Sequence, residues 1–533
     1  MKVPRALTVL LAAVLVVALL GAHRQLRAKP AEPPRHVLRI AMNTGDLPTT
    51  TGAPSQGLDG LRFAGYPVFE PLVMWDLRVT DHPPGVIPWL ATDWTTDPAN
   101  RNRWTFHLRR GVTFHDGSAF DADAVVWNLR RFFDKTSPQY EPTAAAWAKA
   151  RAPILASWEK VDDHTIVLVT TTPTSYFPEV LTALLFASPA RWRQMKGDWQ
   201  AVAAHPSGTG AFRIDRVDPT SIVMSRNPHY WNTARSAKLD GIVLYSMAEP
   251  TTRISALRAG EVDWIENPPP DAIPFLHRSG YTVATSPMPN VWAYYLRVTP
   301  DSPFRDVRVR RAINYAMDRD GIVTLLNGAA QPAKGFWRPT DARFGRPVND
   351  YRYDPARAKA LLAQAGYPPD KLVPVKILTT PTAPGQMLSL PMNELLQQSA
   401  RKAGFDLEFE VVDASQMAAI YNNPKSPKMI GVDAINKGYN SGEATYLYYW
   451  FYPPNIVNYL DPIAKQAMDE YRSNFDPSKQ NAILARLNER FVDDAPMAWV
   501  VYDVNPRAFA PNVHGYTPAQ SWYTDLTTVY MTG

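Results

Sequence analysis

Two histidines and three aspartates fall within one short run, "TFHLRRGVTFHDGSAFDADAVVWNLRRFF" (Thr105 to Phe133): His107, His115, Asp116, Asp121 and Asp123. Such residues bind metals and move protons, so the first question is whether the chain brings them together. Phe106 and Leu108 alternate with His107, which predicts a strand over Thr105–Arg109. Arg110 and Gly111 predict a tight turn, and Val112–Phe114 a second strand paired with the first. With a two-residue turn His107 faces Phe114 and His115 faces Phe106, so the imidazoles project to opposite faces and share no metal. Asp116 and Gly117 have turn chemistry. Asp121 or Asp123 precedes a helical pattern of Val125, Leu129 and Phe132, where an aspartate satisfies free backbone N–H groups. The run reads as scaffold.

The other marks of catalysis are missing from the sequence. It contains no "HExxH", no "GxSxG" and no cysteine, which removes the usual signatures of zinc and serine hydrolysis and excludes thiol chemistry, disulfides and a lipid-modified cysteine. A glycosidase with paired carboxylates stays open, because its two acids come from distant segments. "SGTG", Ser207 to Gly210, leads into a strand over Ala211–Ile214, where a phosphate loop needs a helix, and reads as a turn. Formal charge is +6, and loss of Lys2, Arg5, Arg24 and Arg27 with an export signal brings it to +2. No nucleic-acid partner is expected.

The elements that must position any site are those of a mixed α/β protein. Lys2 and Arg5 precede an apolar run from Ala6 to Ala22, the pattern of an export signal. Cleavage after Ala22 or Ala28 frees the chain; retention leaves it on a signal anchor, with residues 1–35 as signal and linker. Beyond it the 533 residues, with 50 prolines, 27 glycines, 16 tryptophans and 24 tyrosines, suit two or three domains with aromatic surfaces. Asp306 is placed to cap a helix whose Val309, Ala312, Ile313, Ala316 and Met317 face inward, with Arg308 and Arg311 nearer solvent. Asp354, Pro355 and Gly366 bracket a second helix, and Asp476 and Pro477 start a third with Ile483, Leu487 and Phe491 inward. "TYLYYWFYPP", Thr445 to Pro454, is aromatic on every face and is either a buried element or a stacking wall.

The run Trp104 to Phe132 also resembles the strand, turn and helix signature of the family-five extracellular solute-binding proteins of ABC importers, which include oligopeptide, dipeptide and nickel binders. Collinear with it are "YPVFEPLVMWD", "PWLATDWTTD", "SGTGAFRIDRV", "RNPHYWN", "RISALRAGEVDW", "SPFRDVRVRRAINYAMDRDGI", "YDPARAKALLAQAGYP" and "YDVNPRAFAPNVHGY". The resemblance implies a two-lobed periplasmic-binding-protein-like α/β fold of type II. The first lobe would run over 36–285 and return over 503–533, with an extra subdomain at about 76–206. The second would occupy 286–502. It further implies a monomer without cofactor that closes on a solute by hinge bending and presents it to ABC transporter permease subunits at the periplasmic or extracellular face.

By position against that family, Thr49, Thr50, Tyr140, Asn267, Trp292, Tyr294, Gly438, Tyr439, Asn440, Glu443 and Asp503 are the expected ligand contacts. Peptide binders of the family carry an aspartate where this chain has Gly438 or Tyr439, and neither supplies a charge for a peptide ammonium. Glu443 and Asp503 are the acids left to compensate; without them the solute lacks a free N-terminus. A peptide or peptide-like solute is expected, ahead of glycosides, opines or a chelated metal. The alternatives are an anchored sensor on the same scaffold and a secreted glycoside hydrolase.

Overall fold

The computed structural model describes residues 36–533 other than 56, 382–386, 422, 424, 425 and 441, with 414, 415, 418, 421 and 439 described by backbone alone. The expected export segment, 1–35, lies outside the described residues. Among the described residues no helix is long and apolar enough to cross a membrane.

Two large sheets form the cores of an α/β molecule with two lobes. The first has seven strands in the order Thr282–Ala284, Arg507–Phe509, Trp264–Glu266, Val37–Met42, Gly241–Ser246, Ser221–Arg226 and Phe212–Val217. Val37–Met42 runs parallel to both of its neighbours, and its residues part between two cores: Leu38, Ile40 and Met42 on one face, Ala41 on the other with Ala256, Leu257 and Ile265. Both faces are covered, which is why this strand carries so little polar alternation. The C-terminal return is held by charge as well as by pairing. Buried Glu266 receives Arg62 at 2.7 Å, Arg507 at 3.0 Å and the Trp264 indole at 2.7 Å.

The second sheet has six strands, Ala330–Pro332, Met497–Asp503, Asn290–Leu296, Ala434–Asn440, Val373–Thr379 and Phe405–Val411. Asn290–Leu296 and Met497–Asp503 are buried along their whole length. The three helices bracketed in the sequence form around this sheet as Val307–Ala316, Pro355–Gln364 and Pro477–Asp494. Asp306, Asp354 and Asp476 accept backbone N–H bonds from Arg308, Arg357 and Ser478 at 2.8, 2.9 and 3.0 Å. Val309, Ala312 and Ile313 are buried, and exposed Arg308 folds back on Asp306.

A four-stranded sheet, Ala91–Thr96, Arg103–Leu108, Thr165–Thr170 and Leu155–Asp162, corrects the hairpin expected at Gly111. Arg103–Leu108 has both edges filled, by Ala91–Thr96 and Thr165–Thr170, so no edge remains for Val112–Phe114. The chain turns away at Gly111, whose φ is +76°, and Val112–Phe114 folds forward instead: the Phe120 amide donates to Val112 at 3.0 Å and the Phe114 amide to Ser118 at 2.8 Å. His107 is exposed and contacts Asp93 at 2.6 Å, while His115 bonds the backbone at Gly210 at 3.0 Å. Asp121 caps helix Ala122–Phe133 through the Ala124 amide at 2.9 Å.

The "SGTG" turn lies against the backbone of Pro67 and Val68. A Cβ on Gly208 would sit 2.1 Å from the Val68 oxygen, and one on Gly210 2.4 Å from that of Pro67. Backbone contact, rather than phosphate, accounts for both glycines.

Candidate functional site

The chain passes between the two large sheets after Ala284 and again after Asp503, and the two crossings are bonded to each other. The Ser286 amide donates to Val504 at 3.0 Å and the Met288 amide to Asp503 at 3.2 Å. The Asp503 carboxylate is buried and accepts the Asn505 amide at 2.6 Å, in a turn where Asn505 has a φ of +40°. Burial raises the Asp503 carboxyl above its ordinary range, against the opposing pull of the Asn505 amide and the nearby Arg338 and Arg507. Asn267, also in the left-handed region, joins the same place through its amide, which donates to Pro506 at 3.1 Å.

Beside these crossings, at the end of strand Ala434–Asn440, a polar cluster gathers groups from three distant parts of the chain. Glu443 Oε1 accepts the Asn440 amide at 2.8 Å and the Tyr523 hydroxyl at 3.1 Å, while Arg151 stands 3.8 Å from Oε2. Arg151 also donates to the Tyr446 hydroxyl at 3.2 Å and lies over its ring. Tyr523 packs on Tyr66 and Trp75 at 5.0 and 6.4 Å between ring centres. Burial raises the Glu443 carboxyl, and Arg151, Tyr523 and Asn440 oppose it. A second acid faces the same helix start: burial pushes the Glu179 carboxyl up to about 7, Glu443 adds to this, and the Ala444 amide and Arg343 work against it.

The aromatic run becomes helix Ala444–Phe451 and divides by helical spacing. Leu447, Trp450 and Phe451 are buried, with Trp450 at 4.3 Å from Tyr295 and Phe451 at 5.0 Å from Phe491. Tyr446 and Tyr448 instead turn toward chain that precedes residue 180, Tyr446 to Arg151 and Tyr448 to Tyr176 at 5.0 Å. Nearby, the Ser175 amide and hydroxyl donate to Arg472 and Tyr471 at 2.7 and 2.8 Å.

Of the eleven expected contacts, the structure brings Asn440 and Glu443 into this cluster and sets Gly438 and Trp292 opposite each other on adjoining strands. Tyr439 pairs with Val291 through its backbone, and its side chain lies outside the described residues. Tyr294, also expected as a contact, is buried. It is 1% exposed, donates to Asn393 Oδ1 at 2.6 Å and packs near Phe409, because alternation along its strand points it into the second lobe. The hydroxyls of Thr49 and Thr50 bond within their own surroundings, to the Ala53 and Ala203 carbonyls at 2.8 and 2.5 Å. Tyr140 meets Lys149, which lies about 200° around the helix from Arg151, so its ring is on the face turned from the cluster. Arg151, Tyr446, Tyr523 and Glu179 were not singled out in the sequence. Among the described residues no group of three or more histidines and acids is placed to hold a metal ion.

The family description "Bacterial extracellular solute-binding proteins, family 5 Middle" matches residues 85–459. The chain belongs to this family. This family-5 solute-binding protein is 30% identical over 326 residues to heme-binding protein A of Haemophilus influenzae, a match that spans 56% of this chain and 57% of that relative. It is 27% identical over 523 residues to the periplasmic oligopeptide-binding protein OppA of Escherichia coli, covering 90% and 91% of the two chains. The crystal structure of a dipeptide-binding protein from Pseudoalteromonas sp. SM9913, in complex with Met-Leu, superposes with a TM-score of 0.77 at 19% identity, over 93% of this chain and 100% of that one. The fold is therefore that of the two-lobed periplasmic binding proteins. The relatives are named as binding proteins, not as enzymes, which removes the glycoside-hydrolase reading.

Proposed function

We propose that this protein is the exported substrate-binding component of an ABC importer, capturing a peptide or peptide-like solute between its lobes by hinge closure and delivering it to membrane permease subunits. The observation that carries this reading is the Glu443 cluster. Its members come from near residue 151, from 440–446 and from 523, and meet beside the two crossings that join the sheets. Groups supplied by two bodies meet only when those bodies approach, so a solute that bridges them stabilises the closed arrangement in proportion to its preference for it. The lobes divide near 285 and 503, and the extra subdomain carries Arg151. The names of the relatives, an oligopeptide-binding and a heme-binding protein among them, support a solute of peptide size.

Asn440, Glu443, Gly438 and Trp292, with Arg151, Tyr446 and Tyr523, are the contacts assigned by this reading. The chain works as a monomer at the outer face of the cell membrane, after export directed by residues 1–35. A thermal-shift screen over di- to pentapeptides tests it, because a solute that binds only the folded state raises the unfolding temperature. A shift that grows with concentration is expected for at least one peptide class. A flat response across the panel contradicts the reading.

A further inference from the structure

One face of strand Asn290–Leu296 changes character along its length. In the interior, Tyr294 donates to Asn393 at 2.6 Å, Asn393 and Thr379 donate to Asn436 at 3.1 and 2.9 Å, and Asn436 donates to the Ala293 carbonyl at 3.2 Å. All four of these side chains are buried and hydrogen-bonded. On the same face, toward the crossings, stand Trp292 and Asn290, which are 0% and 2% exposed. Trp292 Nε1 and Asn290 Nδ2 have no hydrogen-bond partner among the described residues. The deficit is thus confined to the end of the face that meets the hinge and the Glu443 cluster. Other buried indole N–H groups, those of Trp75, Trp104, Trp192, Trp499 and Trp522, are unpaired as well among the described residues. What sets Asn290 and Trp292 apart is that two unmatched donors stand on one strand face beside the crossings and the Glu443 cluster, where a ligand group can complete them.

The neighbours define what is missing. Asn290 is directly opposite Asn440, whose amide already bonds Glu443 and whose oxygen accepts the Gly442 amide at 2.9 Å. Trp292 is opposite Gly438, the one residue of that strand without a side chain. The unmatched atoms are both donors, on residues whose Cα atoms stand roughly 7 Å apart along one strand. Glu443, the acid of this corner, is already engaged by Arg151, Tyr523 and Asn440.

We propose that Asn290 and Trp292 are specificity-determining residues that donate side-chain hydrogen bonds to an oxygen acceptor of the solute, a carboxylate or an amide carbonyl, seated over Gly438. This rests on the peptide-like reading of the cleft. The test is calorimetric titration of the wild type, Trp292→Phe and Asn290→Ala with trialanine and with its C-terminal amide. Each variant is expected to bind trialanine about tenfold more weakly. If the acceptor is the carboxylate, the wild type also loses affinity for the amide; if it is a peptide carbonyl, both probes bind alike and both weaken in the variants. Unchanged affinity in both variants overturns this inference and leaves the peptide reading standing. No binding of either probe by the wild type overturns this inference, and the thermal-shift panel then decides the peptide reading. Should a variant not fold, the crystal structure of the wild type with trialanine decides. A ligand oxygen within about 3.2 Å of each donor is expected, and its absence overturns the assignment.

Discussion

His115 shows how one side chain can look catalytic in sequence and be architectural in space. It donates from Nε2 to the Gly210 carbonyl at 3.0 Å and accepts the Gly208 amide on Nδ1 at 3.3 Å, an arrangement that only the neutral ring satisfies. Burial pulls its pKa down to about 4 from 6.5. A depressed histidine stabilises the fold above its unfolded pKa, and that stability falls as pH drops from about 6.5 toward about 4. The urea midpoint of the wild type should fall through this window, and His115→Gln should lack that component; equal slopes would refute the assignment. Asp503 makes a second residue-scale case. Its carboxylate accepts the Asn505 amide in the turn at the second crossing, and Asp503→Ala leaves that donor buried without an acceptor. A loss of about 1–3 kcal/mol in denaturant unfolding is expected. At this scale Asn440 and Glu443 could be named in the sequence by position against the family, and the fold sets their side chains 2.8 Å apart. Arg151, Tyr523 and Glu179 carry no local mark, since only the tertiary fold brings positions so far apart together.

Elements were far more legible, wherever a local rule decided them. Asp306, Asp354 and Asp476 cap their helices because an aspartate oxygen meets free N–H groups at a helix start, which depends on a few neighbouring residues only. The hairpin at Gly111 failed because strand pairing is settled by competition among distant strands, and both edges of Arg103–Leu108 went to others. The aromatic run stayed ambiguous for a related reason: hydrophobic on every side, it shows no period, and its division into core-facing Trp450 and Tyr446 turned to Arg151 exists only once distant chain flanks it. The glycine turn gives the prediction at this scale. Gly208→Ala places a carbon 2.1 Å from the Val68 oxygen, and neither backbone can yield without opening the turn. A loss of about 3 kcal/mol or more is expected in thermal or urea unfolding. An alanine variant as stable as the wild type would contradict the close approach.

For the whole molecule, the fold class was readable from collinear landmarks, whereas the lobe-to-lobe chemistry was not. Under the proposed closure, Glu179 makes the closed state sensitive to pH. Burial holds its carboxyl at about 7, against 4.5 for the free group and against the pull of the Ala444 amide, so the protonated form is favoured in the proposed closed arrangement. Closure is then strongest below about 4.5 and weakens as pH rises to about 7, with no further change above. Small-angle scattering of the ligand-free protein should show a larger radius of gyration at high pH, and Glu179→Gln should flatten the dependence. Native mass spectrometry of gently purified protein, followed by denaturation and identification of what is released, addresses capture most directly. The account predicts a discrete mass above that of the chain, lost on denaturation and recovered as an intact peptide-like molecule. A protein that never carries such a mass, alone or after incubation with peptide mixtures, or that releases its passenger with a bond cleaved, would contradict it.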